Sequence, residues 1–324
     1  MADPGLLDVI AGWGLPDGVI DHVEPLRVER DLSLVAEHHL TGVVHAAMHA
    51  GDLEVDRPDQ VDEAYRQAMA SNSRLEANLL NISDVLGSAG IDHAVLRGIA
   101  LADRAGPAAH RVCCGLDLLV RPGMLPEAVL AMEHAGAVRT ESVRSSTWER
   151  RVAASVPLAK DGDPLNLHRT LAPGPFGFAI ADDRVFADVE TFAVVERSLL
   201  TLSVEHHLLH VAMHVALARV RPRLGDVRDV ALLLSSPGLD ADRLIRTVVD
   251  WGVSSPFATG VLAADAIGAE ANGLVEWARR HRDCRRDRRL RSSYAEGKGQ
   301  ARRQAIATLS VLGWRDRVAF LRSR

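Results

Sequence analysis

The stretch RVCCGLDLLV, Arg111 to Val120, places one acidic residue, Asp117, in a run that otherwise ends as a buried strand would. Successive side chains of a strand point to opposite faces, so Leu116, Leu118 and Val120 share one face while Asp117 and Leu119 share the other. LNLHR, Leu165 to Arg169, repeats the arrangement, with Asn166 and His168 on one side and Leu165 and Leu167 on the other. Polar groups on one face of two neighbouring strands would converge on a site. A lone carboxylate at a strand start is more often an end-cap or an ion-pair partner than a metal ligand, so the meaning of Asp117 depends on its surroundings.

Upstream, IDHAVLRG (Ile91–Gly98) is a short β-rich run, and IALADRAG after it makes a helical turn or two. The backbone amides of Ile99, Ala100 and Leu101 would then point beyond the strand end, where a helix start attracts phosphate. An ordinary strand-to-helix turn is the commoner meaning of this feature alone, since one glycine is no phosphate-loop signature. Downstream, PEAVLAMEHAG closes a helix on Gly136, and AVRTESVR, TWERRVAASVPLA and DPLNLHRTL are strand candidates. This alternation gives a middle α/β block with a sheet of about four or five strands.

Helices flank the block. DLSLVAEHHLTGVVHAAMHAG (Asp31–Gly51) carries apolar residues at helical spacing and is expected as one helix; a long helix follows from Asp59 and stops at Gly90. From about Ala181 the pattern is helical again, including VFADVETFAVVERSLLTL, SVEHHLLHVAMHVALARV and LGDVRDVALLLSS, and the Gly- and Pro-rich loop Ala172–Asp183 marks a boundary. The expected organisation is an N-terminal helical segment (1–58), the α/β core (59–175) and an all-helical C-terminal unit (176–324), an α+β class overall.

The bulk properties narrow the function classes. A 324-residue chain that is 47% hydrophobic and 25% charged, with net charge -5, is globular and carries no whole-protein field that would draw nucleic acid. Only Lys160 and Lys298 are lysines, so a single arginine is a weak signal. Cys113, Cys114 and Cys284 form neither a disulfide framework nor a metal spacing, which fits a reducing cytoplasm, and neither an export signal nor a membrane-spanning run is expected.

The blocks LEANLLNISDVLGSAGIDHAVLRGIALADRAG, RVCCGLDLLVRPGMLPEAVLAMEHAGA, LNLHRTL, HHLLHVAMH and GDVRDVALLL, in this order, resemble the bacterial uncharacterised nucleotidyltransferases of the polymerase-β-like superfamily. The family reads LKG at the strand-to-helix turn, then Arg, three residues, Asp, an apolar residue and Asp leading into LLV, and later an acidic residue two places before a His. The resemblance implies a nucleotidyltransferase-like mixed sheet and transfer of NMP from an NTP to a small-molecule, peptide or protein hydroxyl. Two Mg²⁺ ions held by paired carboxylates would align the α-phosphate and neutralise the attacking and leaving oxygens. Asp117 would hold metal, Gly98, Ile99 and Gly115 would meet the phosphates with their backbone, Arg97 and Arg111 would offset phosphate charge, and Asn166 and His168 would line the floor.

The sequence departs from the pattern at the decisive places. Gly115 stands at the first acidic position, Asn166 at the third, and Arg97 replaces the Lys of LKG. Asp161 and Asp163 are the candidates to replace the missing acids, although both read as turn residues. The departures raise two alternatives: a catalytically degenerate nucleotide- or peptide-binding scaffold, or a transferase on the same fold with another donor such as a sugar nucleotide.

Two histidine stripes stand out: His207, His210 and His214 on the helix of the HHLLHVAMH block, and His38, His45 and His49 on an earlier one. Zinc is one reading, while packed or hydrogen-bonded histidines are the commoner one in the absence of an HExxH pattern. The run Ala278–Arg291 holds eight arginines and two aspartates; a solvated helix face with Asp283–Arg286 or Asp287–Arg291 pairs is favoured over a grip on phosphate or RNA. Cys113 and Cys114 read as small packing residues.

Overall fold

A computed structural model describes residues 4–18, 25–102, 111–142, 145–180, 182–218, 221–270, 272–282, 290–294 and 300–322. The N-terminal part holds α1 (Pro4–Gly12), α2 (Val28–Glu37), α3 (Thr41–Ala50) and the long α4 (Pro58–Ser88). Proline opens α4, Val61, Leu75, Leu79, Ile82 and Leu86 form its buried stripe, and Gly90 in a left-handed conformation follows its end.

The middle block contributes β1 (His93–Val95), α5 (Ile99–Ala102), β2 (Leu116–Val120), α6 (Leu125–His134), β3 (Val138–Arg139), α7 (Ser146–Arg151), β4 (Ser155–Lys160) and β5 (Asp163–His168). Next come the short α8 (Gly174–Gly177) and α9 (Asp182–Ala187), then a hairpin of β6 (Val189–Val194) and β7 (Arg197–Leu202). From there the described chain is helical: α10 (Val204–Leu217), α11 (Leu224–Leu234), α12 (Ala241–Asp250), α13 (Ser254–Asp265), α14 (Gly273–His281), α15 (Gln300–Val311) and α16 (Trp314–Arg322).

Seven strands form one mixed sheet in the order β3-β4-β5-β2-β1-β7-β6. β2 pairs with β5 in parallel and with β1 antiparallel, which puts it at the centre of the sheet. The sheet separates two cores. Leu116, Leu118, Val120, Leu165 and Leu167 face α4 and α6, whereas Leu96 and Leu119 belong to the core built with α10, α11 and α13. Asp117, Asn166 and His168 lie on this second face, as strand alternation requires. Among the described residues no helix is long and apolar enough to cross a membrane.

The expected core strands are present, and three local expectations are corrected. Asp31–Gly51 is not one helix: it breaks between α2 and α3, where His39 takes a left-handed φ of 60°. The break is held by α11, since the Leu224 N–H donates to His38 Nδ1 at 3.2 Å and the Gly225 N–H to the His38 carbonyl at 2.9 Å. TWERRVAASVPLA is part helix and part strand: Ser145 caps α7 by accepting from the Trp148 N–H, and β4 begins only at Ser155. VFADVETFAVVERSLLTL ends α9 with Val185–Ala187 and then forms β6 and β7 rather than continuing as helix, so the strands outnumber the expected four or five and the segment after 176 is not all helical. Its physical basis is long range, because β7 pairs in parallel with β1 and Phe192, Val194 and Leu199 complete the α4 and α6 core. The proposed pairs of Asp283 and Asp287 fall outside the described residues.

Candidate functional site

The site grows from the register of β2 and β5, which sets Asp117 beside Asn166 and Leu119 beside His168. β1 delivers the next group. The Leu96 N–H donates to the Asp117 carbonyl at 2.9 Å, and the chain then turns at Gly98, whose φ of 66° suits glycine. This turn lays Arg97 across the end of β2. Its Nε and Nη2 donate to Asp117 Oδ2 at 3.0 and 2.7 Å, while Asn166 Nδ2 and His168 Nε2 meet Oδ1 at 3.0 and 2.9 Å.

Asp117 therefore accepts four hydrogen bonds at only 7% exposure. Burial alone would raise its pKa, but the Arg97 charge and the His168 and Arg97 hydrogen bonds outweigh it and hold the carboxyl well below the usual range. The carboxylate is a completed ion-pair partner.

α11 adds a second layer. Asp226 lies 3.8 Å from Arg97 Nη1 and 3.5 Å from His214 Nε2. Burial opposes its charge, yet the His214 hydrogen bond and charge and the nearby arginines keep it well below the ordinary carboxylate value. One turn further on, Asp229 pairs with Arg111 Nη1, and Arg111 Nε donates to the Gly98 carbonyl at 3.0 Å. Burial disfavours the Arg111 charge, but Asp229 more than compensates, so the guanidinium stays protonated.

The strand leading into β2 is clamped from α4. Asn72 Nδ2 donates to the Arg111 carbonyl at 2.8 Å, and Asn72 Oδ1 accepts from the Cys113 N–H at 2.9 Å. The next residue, Cys114, is exposed and places Sγ 2.9 Å from His39 Nε2. Burial, then Arg223, pulls the His39 pKa down to about 4, and burial raises that of Cys114. The pair is thus a neutral thiol in hydrogen-bond contact with a neutral imidazole.

A cleft of about 140 Å³ opens over Arg97, Gly98, Arg111, Gly115, Asp117 and Asn166, with His39, Asp226 and Arg223 at its sides. Arg223 is exposed and has no ion-pair partner among the described residues. Ile99 does not line the cleft; its apolar side chain is buried in the α4 and α6 core. His168 reaches Asp117 and stands edge-on to His210, with centroids 6.4 Å apart. His210 Nδ1 donates to the Leu171 carbonyl at 2.7 Å, and its buried Nε2 has no partner among the described residues.

A second and larger cavity, of about 880 Å³, lies against β4 and is walled by Trp148, Phe178 and Phe320. Ser155 and Pro157 of β4 line it and pair with His168 and Asn166, so the two spaces adjoin across one strand.

These residues do not fit a Mg²⁺ pair. A hard divalent ion needs anionic oxygens with free lone pairs in near-octahedral array. Both oxygens of Asp117 are taken by N–H donors, the acids of α11 face arginines, and the Arg97 guanidinium fills the place of a cation. Gly115 is closely packed: a Cβ there would stand 3.0 Å from the Pro164 carbonyl oxygen and 3.1 Å from Pro164 Cβ, tight contacts that a small shift of Pro164 would have to relieve. Asp163 cannot substitute, because it points to the opposite face and pairs with Arg74 at 3.0 Å, and Asp161 pairs with Lys160 in the turn.

Sequence reasoning brought Arg97, Gly98, Arg111, Gly115, Asp117, Asn166 and His168 together but passed over Asn72, His39, Arg223, Asp226 and Asp229. The signal for the acids was available. Asp226 and Asp229 are three apart in GDVRDV, hence on one helical face.

Residues 24–268 match the model of a family described as uncharacterised nucleotidyltransferase. No curated protein matches the chain. Among solved structures, an antigenic nucleotidyltransferase-like protein from Paracoccidioides brasiliensis aligns at 16% identity and a TM-score of 0.32, over 62% of this chain and 95% of that one.

Proposed function

Because this chain belongs to the uncharacterised nucleotidyltransferase family, we propose that it uses the fold to bind a nucleotide or another phosphorylated ligand without two-metal NMP transfer. The observation that carries this reading is the saturated Asp117, whose oxygens accept four hydrogen bonds from Arg97, Asn166 and His168. Where a metal-dependent transferase keeps carboxylates free for cations, this cleft keeps a guanidinium. A phosphate that enters meets Arg223 at the rim and Arg97 and Arg111 beneath it, and a planar guanidinium fork suits phosphate oxygens. Arg97 and Arg111 are already paired with Asp117, Asp226 and Asp229, so Arg223 offsets ligand charge at the rim while the two inner guanidiniums offer N–H groups, and this mode of binding does not call on Mg²⁺.

The competing reading is NMP transfer to a small-molecule, peptide or protein hydroxyl, which requires Mg²⁺ and a reacting NTP. Calorimetry with ATP, GTP, CTP and UTP, each with Mg²⁺ and with EDTA, separates the two. The expected result is uptake of at least one nucleotide that survives EDTA, with no release of pyrophosphate. Mg²⁺-dependent pyrophosphate release, or no uptake of any nucleotide under either condition, overturns the proposal.

A further inference from the structure

His45 and His49 lie four residues apart on α3, hence on one helical face, and both Nε2 atoms approach a single oxygen of Asp62 on α4. The distances to Asp62 Oδ1 are 3.4 Å from His45 and 2.9 Å from His49. The His45 ring is fixed by stacking on Tyr65, with centroids 3.8 Å apart and planes 12° from parallel. All three ligand atoms fall within 4.8 Å of one another, on the rigid frames of two helices that pack together.

We propose that His45, His49 and Asp62 form a zinc-class metal site that clips α3 to α4, because two imidazole nitrogens and one carboxylate oxygen converge there from adjacent helices. Zinc bound at about 2.0–2.1 Å in a tetrahedron sets its ligand atoms about 3.4 Å apart. The His45–Asp62 spacing of 3.4 Å already has that value, and a small outward rotation of the exposed His49 ring opens its 2.9 Å to the same spacing. Two imidazoles with one carboxylate select zinc and its transition-metal neighbours over Mg²⁺ or Ca²⁺, which prefer all-oxygen shells. Three protein ligands leave the fourth position to water or an incoming group. The site shares no residue with the cleft around Asp117, so it stands independently of the function proposed there.

Calorimetric titration of the full chain with Zn²⁺ tests it, with thermal unfolding with and without Zn²⁺ as the second readout. The expected result is binding near one ion per chain, accompanied by a rise in Tm. Loss of even an outer-shell partner weakens metal sites by about 10–100-fold, so His49→Gln and Asp62→Asn should each lose at least about tenfold in affinity and the Tm response with it. The His49 side chain is exposed (57%) and that of Asp62 half-buried (41%), so the variants are expected to keep the fold, which circular dichroism checks. Cys114→Ser removes the one thiol–imidazole pair among the described residues and should bind as the wild type does. Equal affinity in wild type and His49→Gln, or loss of binding in Cys114→Ser alone, overturns the assignment, and so does no uptake of Zn²⁺ by the wild type.

Discussion

Replacing Asp117 by Asn decides whether that carboxylate is an ion-pair anchor or a metal ligand. The substitution keeps shape and removes charge, and the new Nδ2 faces groups that are themselves donors: Arg97 on one side, or Asn166 and His168 on the other. Breaking a buried ion pair by removing one partner costs about 3–5 kcal/mol, because the remaining charge is left uncompensated. Here Arg97 retains Asp226 at 3.8 Å, which places the loss at the lower end, about 3 kcal/mol. For a chain of this size each kcal/mol lowers Tm by roughly 2 °C, so a fall of about 6 °C is expected by circular dichroism. A carboxylate held ready for cations behaves in the opposite way, since removing it relieves strain kept for function and leaves stability unchanged or improved. An unaltered or higher Tm in Asp117→Asn refutes the ion-pair reasoning and with it the case against metal chemistry. Arg97→Met on the Asp117→Asn background should then cost less than on the wild type, as expected of two groups in contact.

Other consequences follow from the same geometry. Arg223→Ala removes the rim cation and, at about 1.5–3 kcal/mol for a charge-assisted hydrogen bond, should weaken nucleotide uptake about 10–100-fold in calorimetry while leaving Tm near the wild-type value. Gly115→Asp with Asn166→Asp restores the family's acids but drives a Cβ against Pro164 at 3.0 Å; overpacking costs about 1–3 kcal/mol, and a stable double variant that gains NTP turnover would contradict the proposed function. Burial pushes the Asp182 carboxyl from 3.8 up to about 7, against the pull of Arg169, and Oδ1 lacks a hydrogen-bond partner among the described residues. A carboxyl raised on folding supports the native state below its unfolded pKa and loses that support as pH climbs through the folded value. The Tm advantage of Asp182→Asn over the wild type should therefore grow between about pH 4 and pH 7 and then level off, and a difference independent of pH would show that Asp182 does not titrate there.

What could be read from sequence was whatever local periodicity encodes. Alternation in GLDLLV and LNLHR places Asp117, Asn166 and His168 on one face, and the parallel register of β2 and β5 makes that face a site. Three features resisted because their causes lie far along the chain. VETFAV and RSLLTL become a hairpin because β1 offers β7 an edge and the α4 and α6 core accepts Phe192 and Leu199. His39 adopts a left-handed backbone that nothing in HHL signals, and the residue before it, His38, is held by hydrogen bonds from Leu224 and Gly225, almost two hundred positions away. The state of Asp117 was the third. Sequence could name the missing acids, but only the fold shows that Arg97 turns back at Gly98 onto the carboxylate and that Pro164 packs closely against position 115. The replacements at positions 97, 115 and 166 therefore act together: glycine admits Pro164, asparagine supplies a donor where an acid would repel, and arginine provides the positive charge. On the proposed reading, reverting any one alone leaves the other two opposed to a metal, so single reversions are expected to show no Mg²⁺-dependent NTP turnover.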